Sequence, residues 1–257
     1  MGVVSKALIL GAVAALLYFE RRRPLRRPVE AGPQRIARNI VVGAITAATV
    51  SAIERPIVTR LAGEVKSRGT GLIFALALPA WARTALAVVL MDYTLYWWHV
   101  LLHRVPWLWR LHEPHHVDRD LDASTALRFH FTEFLASIPW RCAQILVIGV
   151  SPRALSLWQQ LTLLEVLFHH SNVRLPANVE RTLAEVIVTP RLHGLHHSVE
   201  RAERDSNFSS GLTLWDRLHG TARMDARDDV RIGLPDYDEP AEVTLGATLA
   251  LPFRGTT

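Results

Sequence analysis

The 257-residue sequence has a single cysteine, Cys142, and it lies inside an apolar run, so neither a disulfide framework nor a thiolate metal site is available. Any metal must therefore be bound through nitrogen and oxygen. No glycine-rich dinucleotide fingerprint, internal repeat or low-complexity tract occurs. The amino terminus, MGVVSK, has Lys6 where a myristoylation motif wants Ser or Thr. Its basic residues follow the first apolar run instead of preceding it, which is the arrangement of a retained anchor and not of a cleaved secretory signal. The formal charge of +5 and the burst ERRRPLRRP at residues 20–28 do not indicate nucleic acid, because a basic cluster hard against an apolar run is a topology signal facing anionic lipid.

What the sequence has in quantity is apolar surface: 49% hydrophobic residues and eight tryptophans place it in the integral membrane class. The apolar residues gather in runs at 3–19, 40–53, 72–91, 134–150 and 154–168, several of them short against the roughly 20 residues a spanning helix needs. A few full spans and one or two re-entrant hairpins are expected. Three regions follow: an N-terminal membrane anchor and hairpin at 1–70, a central region at 71–225, and an acidic, proline-containing surface tail at 226–257 whose last apolar stretch can lie on the bilayer. Seven arginines follow the first run, against Arg60, Lys66 and Arg68 after the second, which puts residues 21–39 in the cytoplasm. A multi-pass topology in the cell inner membrane then brings His99 and the His169–His170 pair to the same cytoplasmic face.

All twelve histidines lie between residues 99 and 219, most of them in tight groups. His99 and His103 are four apart, so on a helix they share one face and can grip one ion. His112, His115 and His116 stand at i, i+3 and i+4, as do His193, His196 and His197; His169 and His170 add at least one more donor. So many imidazoles exceed one coordination sphere, and two metal ions are the natural count. Pooled imidazoles with open positions suit iron that activates oxygen, although imidazole ligation alone suits zinc and copper as well.

At these residues the chain resembles the fatty acid hydroxylase and sterol desaturase superfamily of membrane di-iron enzymes. The likeness runs from about Asp92 to Thr221, through DYTLYWWHVLLHRVPWLWRLHEPHH, STALRFHFTE, FHHSNVRLP, VTPRLHGLHHS and SNFSSGLTLWDRLHGT. It implies an all-α integral membrane bundle with a cytosolic histidine-rich cap over residues 71–225, two iron ions, and O2 as co-substrate in hydroxylating or desaturating a fatty acyl, sterol or related lipid. By position, His99, His103, His112, His115, His116, His193, His196 and His197 inherit the ligand role, with His169 and His170 both candidates. Members of the family usually carry Phe where this chain has His219, and some carry a further histidine where Glu165 aligns. Glu165 thus either replaces an imidazole or is an intramembrane charge in need of a partner. His130 and Glu133, with Asp92, Arg128, Asn172, Asn207 and Asp216, are candidates to hydrogen-bond ligand nitrogens or to serve purely structurally. With no flavin, nicotinamide, iron-sulfur or fused haem motif, two electrons must come from a separate ferredoxin-like or cytochrome-like protein, docking on basic residues such as Arg191, Arg201 and Arg204. A membrane zinc hydrolase, or an inactive metal- or lipid-binding relative, are the competing readings.

Overall fold

The computed structural model describes residues 3–254 apart from 31, 226, 238 and 240–242, with the side chains of residues 3–8 left out. Among the described residues there are helices and no strands, only three isolated bridge pairs. The principal helices are α1 (Val3–Arg22), α2 (Pro33–Thr49), α3 (Arg55–Arg68), α4 (Ala80–Arg104), α5 (Pro106–His116), α6 (Phe131–Ile148) and α7 (Pro152–His170). Shorter pieces follow: α8 (Ala177–Ala184), α9 (Pro190–His196), α10 (Arg201–Arg204), α11 (Leu214–Leu218) and α12 (Leu245–Ala250).

α2 and α3 form one continuous helical rod through a π turn at Val50–Glu54. Pro56 explains the turn: its ring collides with the carbonyl four residues back and it has no N–H to offer, so the backbone widens, and the Arg55 N–H reaches the Val50 carbonyl. The apolar run at 40–53 is thus embedded in a longer helix than its own length suggests. The run at 72–91 is not one helix. Gly71 precedes it and Pro79 interrupts it, Leu72–Ala75 forms a 3-10 turn, and α4 starts only at Ala80.

Two helical stretches are long and apolar enough to cross a membrane, Pro33–Ala75 and Ala80–Arg104. Only 17% of the first stretch's apolar window and 39% of the second's is buried inside the protein, so these are not the sequestered core helices of a soluble domain. Ile36, Ile40, Val41, Ile53, Ile57, Trp81, Val147 and Leu161 are exposed, as lipid contact allows.

Between α3, α4, α6 and α7 the core is built from Val58, Ala62 and Val65, which repeat at helical spacing on one face of α3, against Ala87, Met91, Ile145, Ile148, Leu155 and Trp158. Polar side chains in this layer pair internally. Glu54 lies 3.6 Å from the Arg141 guanidinium, which covers the Trp158 ring at 4.4 Å and donates to Gln144. Arg141 and Gln144 therefore pair with each other inside this layer. The segment after residue 226 is packed as well, correcting its reading as a surface tail: Leu234, Val243 and Leu251 form a cluster with Val117, and Thr248 accepts from Arg128.

The α6–α7 corner is closed by glycine. Gly149 ends α6 in the left-handed region (φ 87°), Ser151 caps α7 by accepting from the Ala154 N–H, and Gly71 (φ 99°) packs backbone to backbone on this corner. A Cβ on Gly71 would meet the Gly149 backbone, so Gly71→Ala is expected to cost about 2 kcal/mol or more. A lowered thermal unfolding midpoint in detergent checks this, and an unchanged midpoint refutes the close approach.

Candidate metal centre

Four helices deliver the histidines. His99 and His103 lie near the end of α4, His112, His115 and His116 on α5, His169 and His170 at the end of α7, and His193 and His196 on α9 with His197 just past it. α9 is set by its cap, where the Thr189 hydroxyl accepts from the Leu192 N–H and Pro190 takes a first-turn position that needs no donor.

The imidazoles sort into two groups. His99, His103, His112, His116 and His196 form one, and His115, His170, His193 and His197 the other; within each, one nitrogen per ring lies within 4.8 Å of all the others. Each HxxHH trio is divided between the two groups and does not serve one ion as a single stripe. His169 joins neither group: its Nδ1 donates to the Ser210 carbonyl (3.0 Å), and its ring rests 4.0 Å from that of His193.

Hydrogen bonds fix the tautomers where they occur. His99 Nδ1 donates to the Phe208 carbonyl (2.6 Å), His196 Nδ1 to the Ser206 carbonyl (2.9 Å) and His170 Nδ1 to the Val166 carbonyl (2.8 Å). His112 Nδ1 donates to Glu133 Oε2 (2.9 Å). In each case Nε2 is left with a lone pair directed away from that partner. Burial, reinforced by neighbouring imidazoles, pushes His115, His116, His193, His196 and His197 well below the usual histidine range, so these rings are neutral and able to donate lone pairs.

The free nitrogens test the fit to metal. The Nε2 atoms of His112 and His196 and both nitrogens of His103 and His116 are buried with no hydrogen-bond partner. In the second group Nε2 of His170 stands 2.9 Å from that of His115 and 3.1 Å from that of His193, which is 3.1 Å from that of His197. Nitrogens bound to one ion at about 2.1 Å stand about 3.0 Å apart at right angles and about 3.4 Å apart at the tetrahedral angle. The observed spacing is close enough for one ion to accept several of these nitrogens, and an all-imidazole donor set suits iron, zinc or copper.

Most other candidates act elsewhere. Glu133 orients His112, not its sequence neighbour His130; His130 instead caps α6, its Nδ1 accepting from the Thr132 N–H. Asp216 accepts the N–H groups of Phe208 (2.8 Å) and Ser209 (2.9 Å), and Asn207 (φ 50°) donates to the Leu192 and Arg223 carbonyls. Together they shape the 206–210 loop whose carbonyls hold His99, His169 and His196, so they touch no histidine themselves. The sequence reading missed these carbonyls, since a backbone acceptor leaves no side-chain signature. Asp92 accepts from Trp215 Nε1 (2.7 Å) and the Leu212 N–H, and Asn172 ties to the Arg26 backbone. Glu165 approaches Gly211 beside Asp92, not the histidine groups. Arg128 donates to the Pro114 carbonyl and to Asn39. His219 stacks on Tyr93 and Tyr96, filling an aromatic slot.

An all-helical chain with two buried pools of converging imidazoles and outward-facing apolar helices is of the histidine-rich membrane class. Residues 84–221, more than half of the sequence, match the family model for fatty acid hydroxylases, and the chain belongs to that family. It is 34% identical over 140 residues to the ornithine lipid hydroxylase OlsE of Rhizobium tropici, covering 54% of this chain and 41% of that protein. To human alkylglycerol monooxygenase it is 30% identical over 131 residues (51% and 28%), and to mouse cholesterol 25-hydroxylase 26% over 141 (54% and 46%). The chain thus spans less than half the length of these relatives. No solved structure matches it.

Glu133→Ala and Asp216→Ala should each weaken metal affinity by roughly 10- to 100-fold, because the rings they orient directly or through the 206–210 loop lose their fixed setting. His130→Ala should instead lower stability by about 1 kcal/mol with unchanged metal content, as loss of a helix cap does. Elemental analysis beside thermal unfolding separates the two effects; equal metal loss in all three variants would refute these assignments.

Proposed function

We propose that the chain is an oxygen-dependent hydroxylase of a membrane lipid, with two iron ions held by the two histidine groups. The observation that carries this reading is the pair of converging imidazole pools with partnerless nitrogens, in a chain of the fatty acid hydroxylase family. Three relatives named as lipid hydroxylases or monooxygenases support hydroxylation over desaturation. The overall reaction consumes one O2, two electrons and two protons, places one oxygen atom in the lipid C–H bond and releases the other as water.

His99, His103, His112, His116 and His196 would hold one ion; His115, His170, His193 and His197 the other. Bound iron would supply oxygen activation and abstraction of hydrogen from an unactivated carbon. The protein's own residues do the rest. Glu133 and the Ser206 and Phe208 carbonyls keep three Nδ1 atoms protonated and their rings fixed, and burial excludes water.

In this reading the central region is a histidine-rich cap on the cytoplasmic face of a multi-pass bundle in the cell inner membrane, in line with the arginine-rich segment after α1. The electrons come from a separate carrier protein. Trp109 supports an entry point: its ring lies 5.1 Å from His103 and 5.3 Å from His116, and Arg204 covers it at 5.5 Å.

Membranes containing the protein, given isotopically labelled O2, a reducing system and a lipid extract, should yield a lipid with one labelled hydroxyl. The purified chain should carry two irons. An unlabelled alkene whose formation needs oxygen would indicate desaturation. Oxygen entering from water, with a single tightly held zinc, would replace this reading with hydrolysis.

A further inference from the structure

Beside the segment that follows α1, a cavity of about 100 Å3 is lined by five arginines, Arg26, Arg27, Arg35, Arg119 and Arg231, against Asp120 and Asp122. Both carboxylates are already engaged. Asp120 accepts the N–H groups of Val29 (2.8 Å) and Glu30 (2.7 Å), while Asp122 pairs with Arg35 and accepts from Ser124. Arg35 is further committed to Asp118 (2.8 Å).

Three cations are left over. Arg26 is only 9% exposed, and its Nε and Nη1 are buried with no hydrogen-bond partner; Nη2 alone donates, to the Pro190 carbonyl (3.2 Å). Asp228, which acts on its charge, is held by Arg174 (2.6 Å) and Arg191. Among the described residues, Arg27 and Arg119 form no ion pair. A buried guanidinium with two unused donor nitrogens is costly unless something anionic satisfies it.

The position of Arg26 is enforced, not incidental. Asn172 grips its backbone on both sides, accepting from the Arg26 N–H (2.8 Å) and donating to its carbonyl (2.9 Å), and the guanidinium packs where any Cβ on Gly194 would stand. The charge is thus built into the wall of α9, behind the second histidine group.

Size and geometry narrow the ligand. Pockets for whole small molecules run to roughly 300–1,000 Å3, so this one admits a single small group. Guanidinium forks match tetrahedral oxyanions, giving short, charge-assisted hydrogen bonds. We propose that the cavity binds a phosphate group, either as the headgroup of an anionic lipid or as free phosphate, held by Arg27 and Arg119 with the buried charge of Arg26 in the wall behind them. This is a binding site separate from the imidazole groups, and its test does not depend on turnover.

The test is thermal unfolding of the full-length protein in neutral detergent, titrated with inorganic phosphate, with short-chain phosphatidic acid, and with diacylglycerol of the same chain length. Phosphate-bearing ligands should raise the midpoint saturably, diacylglycerol should not, and chloride at matched ionic strength should not. Phosphatidic acid binding at least tenfold more tightly than inorganic phosphate identifies the headgroup as the source; equal affinity identifies free phosphate. Arg27→Ala/Arg119→Ala, at positions that leave the core intact, should weaken binding at least tenfold, and Arg119→Glu should do the same, whereas Arg201→Ala should bind as the parent does. The proposal is overturned by an unsaturable response, by an equal effect of chloride, or by full affinity in the double variant.

Discussion

The rest of the structure depends on one constraint: nine imidazoles, nearly all of them buried, converge and pack ring against ring. A buried polar nitrogen left without a partner costs about 1–3 kcal/mol, and here several are left so at once. The protein reduces that cost on one side only. Carbonyls and one carboxylate take up Nδ1 of His99, His112, His170 and His196, which leaves the opposite nitrogens facing one another across short gaps. Neutral imidazoles cannot all satisfy one another in such a cluster, because each N–H needs a lone pair and four nitrogens converge in the second group alone. A cation accepts every lone pair together, and this is the state that the donor set fits.

That constraint explains how the helices are divided. On α5, His112 and His116 are separated by slightly more than one turn and point nearly the same way, while His115 is rotated by about 100° from its neighbour His116. The first two join one group and His115 the other. α9 repeats the device with the weighting reversed, giving His196 to the first group and His193 and His197 to the second. Each of these two helices therefore bridges both groups, and α4 and α7 complete one group apiece. Any rotation of α5 or α9 disturbs both centres at once, which is why both are pinned at their ends, α9 by the Thr189 cap and α5 by the polar network beyond His116.

Much of this was legible in the sequence and part of it was not. Histidine spacing on amphipathic helices is a local property, so the histidines that converge could be named from residue order, and the apolar runs could be assigned to helices. Helix ends were less legible: the run at 72–91 contains a proline and directly follows a glycine, Gly71, whose placement depends on the corner against Gly149. Second partners were hardest. Glu133 lies three residues from His130 and twenty-one from His112, yet it bonds His112, because α6 leaves the His130 cap in a direction that carries Glu133 toward α5. His169 and His170 are adjacent, and only the phase of α7 decides that His170 enters the second group. The 206–210 loop acts through carbonyls, which every residue has.

The polar network beyond α5 links the membrane helices to the centre. Asp118, two residues past His116, is fully buried and gripped by Arg35 through both carboxylate oxygens, and Asn39 donates to the same group. Burial pushes its carboxyl up, but the Arg35 and Arg128 guanidiniums and the Asn39 amide outweigh that and hold it at about 2. Such a buried ion pair adds little net stability compared with an apolar substitute, whereas removing one partner typically costs about 3–5 kcal/mol. Its value lies in register. A carboxylate met by a guanidinium fork has one good alignment, so α2 can dock against the end of α5 in only one rotational setting, and an apolar contact would permit sliding. Arg128 extends the same restraint, reaching from Asn39 on α2 to the Pro114 carbonyl within α5 and to Thr248 near the carboxyl terminus. Groups far apart in sequence are thereby locked around the one helix whose rotation decides which imidazole serves which centre.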